Sequence, residues 1–124
     1  AYMGTRFINV EESKAPEDYR KMIIEAGASD VVYTAAISGV HANFLAASLQ
    51  AAGISEEDLK KGHKVDFGKE LDTEAKAWKT IWSAGQGVTT IQNVLSVLDL
   101  VESLKLEFKE AIQKQNRLLE TYPK

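Results

Sequence analysis

The interior of the chain carries one compact β-branched and aromatic run, "VVYT" at Val31 to Thr34. The only other strand-like stretch is the apolar beginning, where Tyr2, Phe7, Ile8 and Val10 are interrupted by Gly4. One or two strands cannot form an independent β-core. A leading strand here therefore requires pairing partners that the rest of this sequence does not supply. The first residue is Ala1, and Met3 sits inside what reads as a structural motif. Together these features predict that the chain is a piece of a longer protein.

Helical signals dominate the remainder. Ser13 and Pro16 announce a helix, since Pro suits a first turn whose N–H groups are unpaired in any case. Tyr19, Met22, Ile23 and Ala26 follow at helical spacing, with Gly27 placed as a left-handed stop. After the break at Ser38-Gly39, a second helix is predicted over Ala42 to Ala52, closed by Gly53. Ser55 before Glu56, Glu57 and Asp58 reads as an N-cap with acids in the first turn of a short helix. Ala75, Trp78, Ile81 and Trp82 suggest another helix, with the two tryptophans packing on one face. "SAGQG" at Ser83 to Gly87 is a turn-rich break. Ser96 and Asp99 approximate a capping box for a last helix, Val97 to Thr121, which would span roughly 37 Å.

Composition narrows the function classes. The 124 residues suit one domain, and the net charge of −3 with no long block of like charge gives no footprint for nucleic acid or a membrane surface. No apolar run approaches the length of a membrane span and no secretory leader is visible, which fits a cytoplasmic protein. With no cysteine, disulfides, thiolate nucleophiles and cysteine metal sites are excluded. Neither histidine has a companion at metal-ligand spacing, so no metal site is expected.

Few residues carry chemistry by themselves. Met3-Gly4-Thr5 after a strand suits close approach of backbone N–H groups to a phosphate, as found after the last strands of α/β barrels; an ordinary strand-to-loop turn is the commoner use of such a pair. Arg6 suits a phosphate or carboxylate, and a structural salt bridge is the commoner use. Gly85-Gln86-Gly87 either places Gln86 over a ligand or simply connects two helices. His41, beside the Ser38-Gly39 turn, suits an acid, a base or a polar substrate contact, or a purely structural role.

In combination the pieces are more specific. "MGTRF" followed by "EESKAPEDY", then Thr34 to Ser38 with Gly39, then "WSAGQG" at Trp82 to Gly87, resembles the C-terminal part of the nitronate monooxygenase (2-nitropropane dioxygenase) family. The resemblance implies an α/β protein, an FMN-binding (β/α)8 barrel with a mostly helical insert, of which this chain is a mainly α-helical portion. Residues 1–10 would be the last barrel strand and its phosphate loop, 11–83 a helical lid-like insert, and 84–124 the AGQG loop with a C-terminal helix packed on the barrel. It implies that Gly4 and Thr5 offer N–H groups and a hydroxyl to the FMN phosphate, that Tyr2 and Met3 line the same edge, and that Gln86 sits at the mouth. Many relatives carry a Ser-Gly-Arg-Pro-Ala-Arg-like stretch where this chain has "SGVHANF", which places His41 on the substrate side. The implied activity is FMN-dependent oxidation of nitronates or nitroalkanes with oxygen, the substrate being a small molecule. The catalytic groups would lie in the barrel portion upstream, so this chain alone would be inactive. Two alternatives follow the same resemblance: an FMN enzyme reducing enoyl or acyl thioesters with NAD(P)H, and an inert C-terminal piece whose partner is the remainder of its own barrel.

Overall fold

The computed structural model describes residues 3–60 and 79–122. Tyr2, His63 and Trp78, and with them the expected pairing of two tryptophans, lie outside the described residues. Among the described residues, the leading stretch from Met3 to Asn9 is not a strand. Thr5–Asn9 form a 3-10 turn, preceded by Gly4 in the right-handed helical region (φ −53°, ψ −49°). Only Val10 reaches a ladder, a single parallel bridge to Leu95. There Glu11 N–H donates to the Leu95 carbonyl (2.9 Å) and Leu95 N–H to the Asn9 carbonyl (3.4 Å). No described strand lies alongside residues 5–9, and an unpaired strand leaves half its backbone polar groups unsatisfied. A 3-10 turn satisfies part of that demand locally.

Helix α1 spans Glu17–Glu25 behind Pro16, with Glu17 and Asp18 in its first turn. It ends without a left-handed cap, because Gly27 is extended (φ −97°) and begins a short turn in which its N–H donates to Asp30 Oδ2 at 2.7 Å. Strands β1 (Val31–Thr34) and β2 (Ala42–Leu45) then form an antiparallel hairpin, closed through Gly39 at φ +80°. The expected helix over 42–52 is thus half strand: helix α2 covers only Ala46–Ala51. Alanine favours helix, but pairing Ala42–Leu45 with β1 gives those residues a ladder and two faces to bury, and this tertiary gain overrides propensity. Gly53 ends α2 in the left-handed region (φ +78°), as its position predicts. Helix α3 (Glu56–Lys60) follows Ser55, whose Oγ accepts from Asp58 N–H (3.2 Å).

The hairpin is a wall with a core on each face. Side chains alternate across a strand, and in this register Val31 opposes Leu45 while Val32 opposes Phe44. Leu45 enters a cluster with Ile23, Ala84, Val88 and Ile91, against which Tyr19, Val31 and Trp82 pack. Phe44 enters the other, with Ile37, Leu49, Ile54 and Ile81. Lys79 and Thr80 are helical, and Ile81 and Trp82 follow outside any helix or strand. Their backbone is used elsewhere: Leu45 N–H donates to the Trp82 carbonyl (2.8 Å) and Trp82 N–H to Ser48 Oγ (3.0 Å).

Helix α4, Val97–Thr121, has the expected bounds. Asp99 N–H donates to Ser96 Oγ (3.1 Å), and the Glu12 carboxylate accepts from Val97 N–H with both oxygens (3.1 and 3.0 Å), placing negative charge at the positive end of the helix. Only Leu100 of α4 is fully buried, whereas Phe108, Ile112, Leu118 and Leu119 are exposed.

Candidate functional site

Two short turns far apart in the sequence meet at one cavity. The first is Thr5–Asn9. The second is the 3-10 turn Gln86–Thr90, which follows Gly85 and carries the buried Val88 into the core. The first hydrogen bonds of these turns run from Phe7 N–H to the Gly4 carbonyl (3.1 Å) and from Val88 N–H to the Gly85 carbonyl (3.2 Å). That geometry leaves the N–H groups of Thr5, Arg6, Gln86 and Gly87 outside the turns' own bonding. Met3, Gly4, Thr5 and Arg6 form one wall of a cavity of about 310 Å³, Gly85, Gln86, Gly87 and Thr90 a second, and Leu104 and Glu107 of α4 a third.

Side chains tie the walls together. Thr5 Oγ1 accepts from Gly85 N–H at 2.9 Å, which leaves its own hydroxyl proton available for donation. Arg6 donates to the Thr90 carbonyl at 2.7 Å and, among the described residues, makes no salt bridge. The expected ion pair is replaced by a backbone anchor that leaves a cation at the cavity wall. On the far side, Tyr19 stacks on Trp82 (centroids 4.9 Å apart, planes at 20°) and donates its hydroxyl to the Ser83 carbonyl. Burial pushes the Tyr19 hydroxyl pKa above its ordinary value, so it stays a donor.

The glycines keep space open. A Cβ on Gly4 or Gly87 would meet no protein atom within 4 Å, and Gly4 is in a conformation that any residue adopts. Neither chain conformation nor packing within the described residues demands glycine at position 4. Room for a group outside them is the remaining physical reason.

Met3, Gly4, Thr5 and Gln86, singled out in the sequence, therefore come together around one cavity. His41 does not line it; it stacks on the exposed Tyr33 (centroids 5.0 Å) at the hairpin. Sequence reasoning missed Tyr19, Thr90, Leu104 and Glu107. Tyr19 had a legible signal, a polar tip on an apolar helical stripe that needs a partner. The others are brought in by long-range packing. Among the described residues no cluster of side chains suits a metal ion, and no helix is long and apolar enough to cross a membrane.

Comparison with known proteins covers nearly the whole chain. The family model described as nitronate monooxygenase matches residues 1–107. The chain belongs to the nitronate monooxygenase family. It is 33% identical over 121 residues to a nitronate monooxygenase of Paraburkholderia phytofirmans, a match covering 91% of this chain and 32% of that protein. It is also similar to a solved structure of a FabK mutant from Thermotoga maritima, with a TM-score of 0.61 and 25% identity over 94% of this chain and 36% of that one. The chain thus spans about a third of the length of these relatives. The family match contains every residue of the cavity and stops at Glu107, the last of them along the chain.

Proposed function

We propose that this chain forms the phosphate-holding end of an FMN-dependent oxidoreductase of the nitronate monooxygenase type, acting on nitronates or nitroalkanes with oxygen. The observation that carries the reading is the meeting of Met3–Arg6 with Gly85–Gly87 at one cavity in a chain of this family. The turns' N–H groups and the Thr5 hydroxyl are donors suited to phosphate oxygens, and Arg6 supplies positive charge. The open space at Gly4 and Gly87 suits a group lying close on the backbone. When bound, FMN would supply the redox chemistry. The residues of this chain would hold and orient its phosphate end, and the catalytic groups would come from the remainder of a (β/α)8 barrel.

The exposed stripe of α4 fits the same reading. Phe108, Ala111, Ile112, Leu118 and Leu119 continue the face on which Leu100 is buried, and a stripe of that kind calls for a covering surface. The remainder of the barrel is the partner proposed for it.

The test is flavin binding by the complete gene product. A bound-flavin absorbance spectrum and oxygen uptake with a nitronate are the expected results. NAD(P)H oxidation with an enoyl or acyl thioester, and no oxygen uptake, would instead assign the same clamp to a thioester reductase, since holding the phosphate does not choose the redox partner. A colourless product with neither activity would overturn both.

A further inference from the structure

The geometry points to Tyr19 as a positioning residue that holds the Ser83–Gly87 segment in its phosphate-binding shape; this rests on the flavin reading above. Tyr19 lies on α1 and does not line the cavity. Its influence would pass through the backbone. Upstream, Trp82 is fixed at both its N–H and its carbonyl by Ser48 and Leu45. Downstream, Gly85 N–H is fixed by Thr5. Between them the Tyr19 hydroxyl grips the Ser83 carbonyl, while the stack on Trp82 fixes the ring that presents that hydroxyl. Ala84 is buried in the core, so the segment is held at Ser83, Ala84 and Gly85 in succession before it opens into Gln86 and Gly87. Donors that recognise an anion lose affinity when they are allowed to wander, because ordering them is then charged to binding.

Removing the hydroxyl tests positioning without breaking the fold. Ser83 is exposed, so its carbonyl returns to water in Tyr19→Phe, and the stack on Trp82 is retained. The decisive comparison is between FMN and riboflavin, which differ by the phosphate alone. Both are titrated against the complete gene product by fluorescence quenching, for the wild type, Tyr19→Phe and, as a control, Tyr33→Phe at an exposed tyrosine.

For Tyr19→Phe, the FMN dissociation constant is expected to rise about three- to tenfold, the scale of one neutral hydrogen bond. Riboflavin affinity should change less than about twofold. The melting temperature should move by no more than about 2 °C, and Tyr33→Phe should bind both flavins like the wild type. Equal loss for FMN and riboflavin would make Tyr19 merely structural and overturn the inference, as would an unchanged FMN affinity. A wild-type protein that binds neither flavin would overturn the flavin reading itself, a result distinguishable from either of these.

Discussion

Thr5 and Gly85, eighty positions apart, are joined by a 2.9 Å hydrogen bond from the Gly85 N–H to the Thr5 hydroxyl oxygen. That bond joins two of the three walls of the cavity. In the proposed site Thr5 has two tasks through one atom, accepting from Gly85 and donating its proton to the FMN phosphate. Thr5→Val keeps the shape and removes both. The variant should lose about 1 kcal/mol of stability and bind FMN at least about tenfold more weakly, whereas Thr5→Ser should retain most of each. Urea unfolding and flavin titration provide the two readings; a valine variant with wild-type FMN affinity would remove Thr5 from the site.

Gly4 separates binding from stability more cleanly. Its dihedrals are ordinary and a Cβ there meets no protein atom within 4 Å. Gly4→Val should therefore leave thermal unfolding within about 2 °C of the wild type. The added side chain should crowd the ligand and weaken FMN binding. If flavin affinity is unchanged, the open space at Gly4 is not where the phosphate lies.

The hairpin wall predicts a stability effect unrelated to ligand. Leu45 is 1% exposed and joins α1 to the Ala84–Ile91 region within one cluster. Truncation to alanine removes three carbons from a site closed by β1, α1 and the second turn. Leu45→Ala should cost about 2–5 kcal/mol, measured as a shift in the denaturant midpoint. Tyr33→Ala, at an exposed residue of the same hairpin, should cost far less.

Local signals were legible where they were long or self-contained. Helix α4 was readable to its bounds because a 25-residue stripe and the Ser96–Asp99 cap lie within a single element. Pro16, Gly53 and Ser55 marked helix boundaries for the same reason: their effects act within one turn. What failed depended on partners far along the chain. The leading stretch reads as a strand from its apolar residues, yet among its described residues only Val10 finds a ladder partner, Leu95. Ala42–Leu45 reads as helix from the spacing of Phe44, Leu45, Leu49 and Ala52, yet it pairs with Val31–Thr34. The site was legible as two glycine motifs, but their meeting, and the entry of Arg6, Thr90 and Glu107, follows only from packing. A salt bridge is the common use of an arginine such as Arg6, whereas here the Thr90 carbonyl stands within its reach.

The same Tyr19 hydroxyl that grips Ser83 should give the protein an alkaline-sensitive stability. Burial raises its folded-state pKa above the ordinary value of 10.0. In the unfolded chain the phenol titrates near that ordinary value. Below it, both states hold the proton and the contribution is complete. As pH rises past 10, the unfolded chain releases a proton that the folded protein keeps, so the unfolded state binds fewer protons and stability falls with pH. Once the folded phenol also ionises, the donor to the Ser83 carbonyl is gone. Tyr19→Phe has neither effect, while Tyr33 and Tyr122 are common to both proteins. Urea midpoints measured at about pH 8 and about pH 10.5 should therefore fall further for the wild type than for Tyr19→Phe. Equal losses in the two proteins would mean that the Tyr19 phenol ionises alike in the folded and unfolded states, and that it is not held as a buried donor on Ser83.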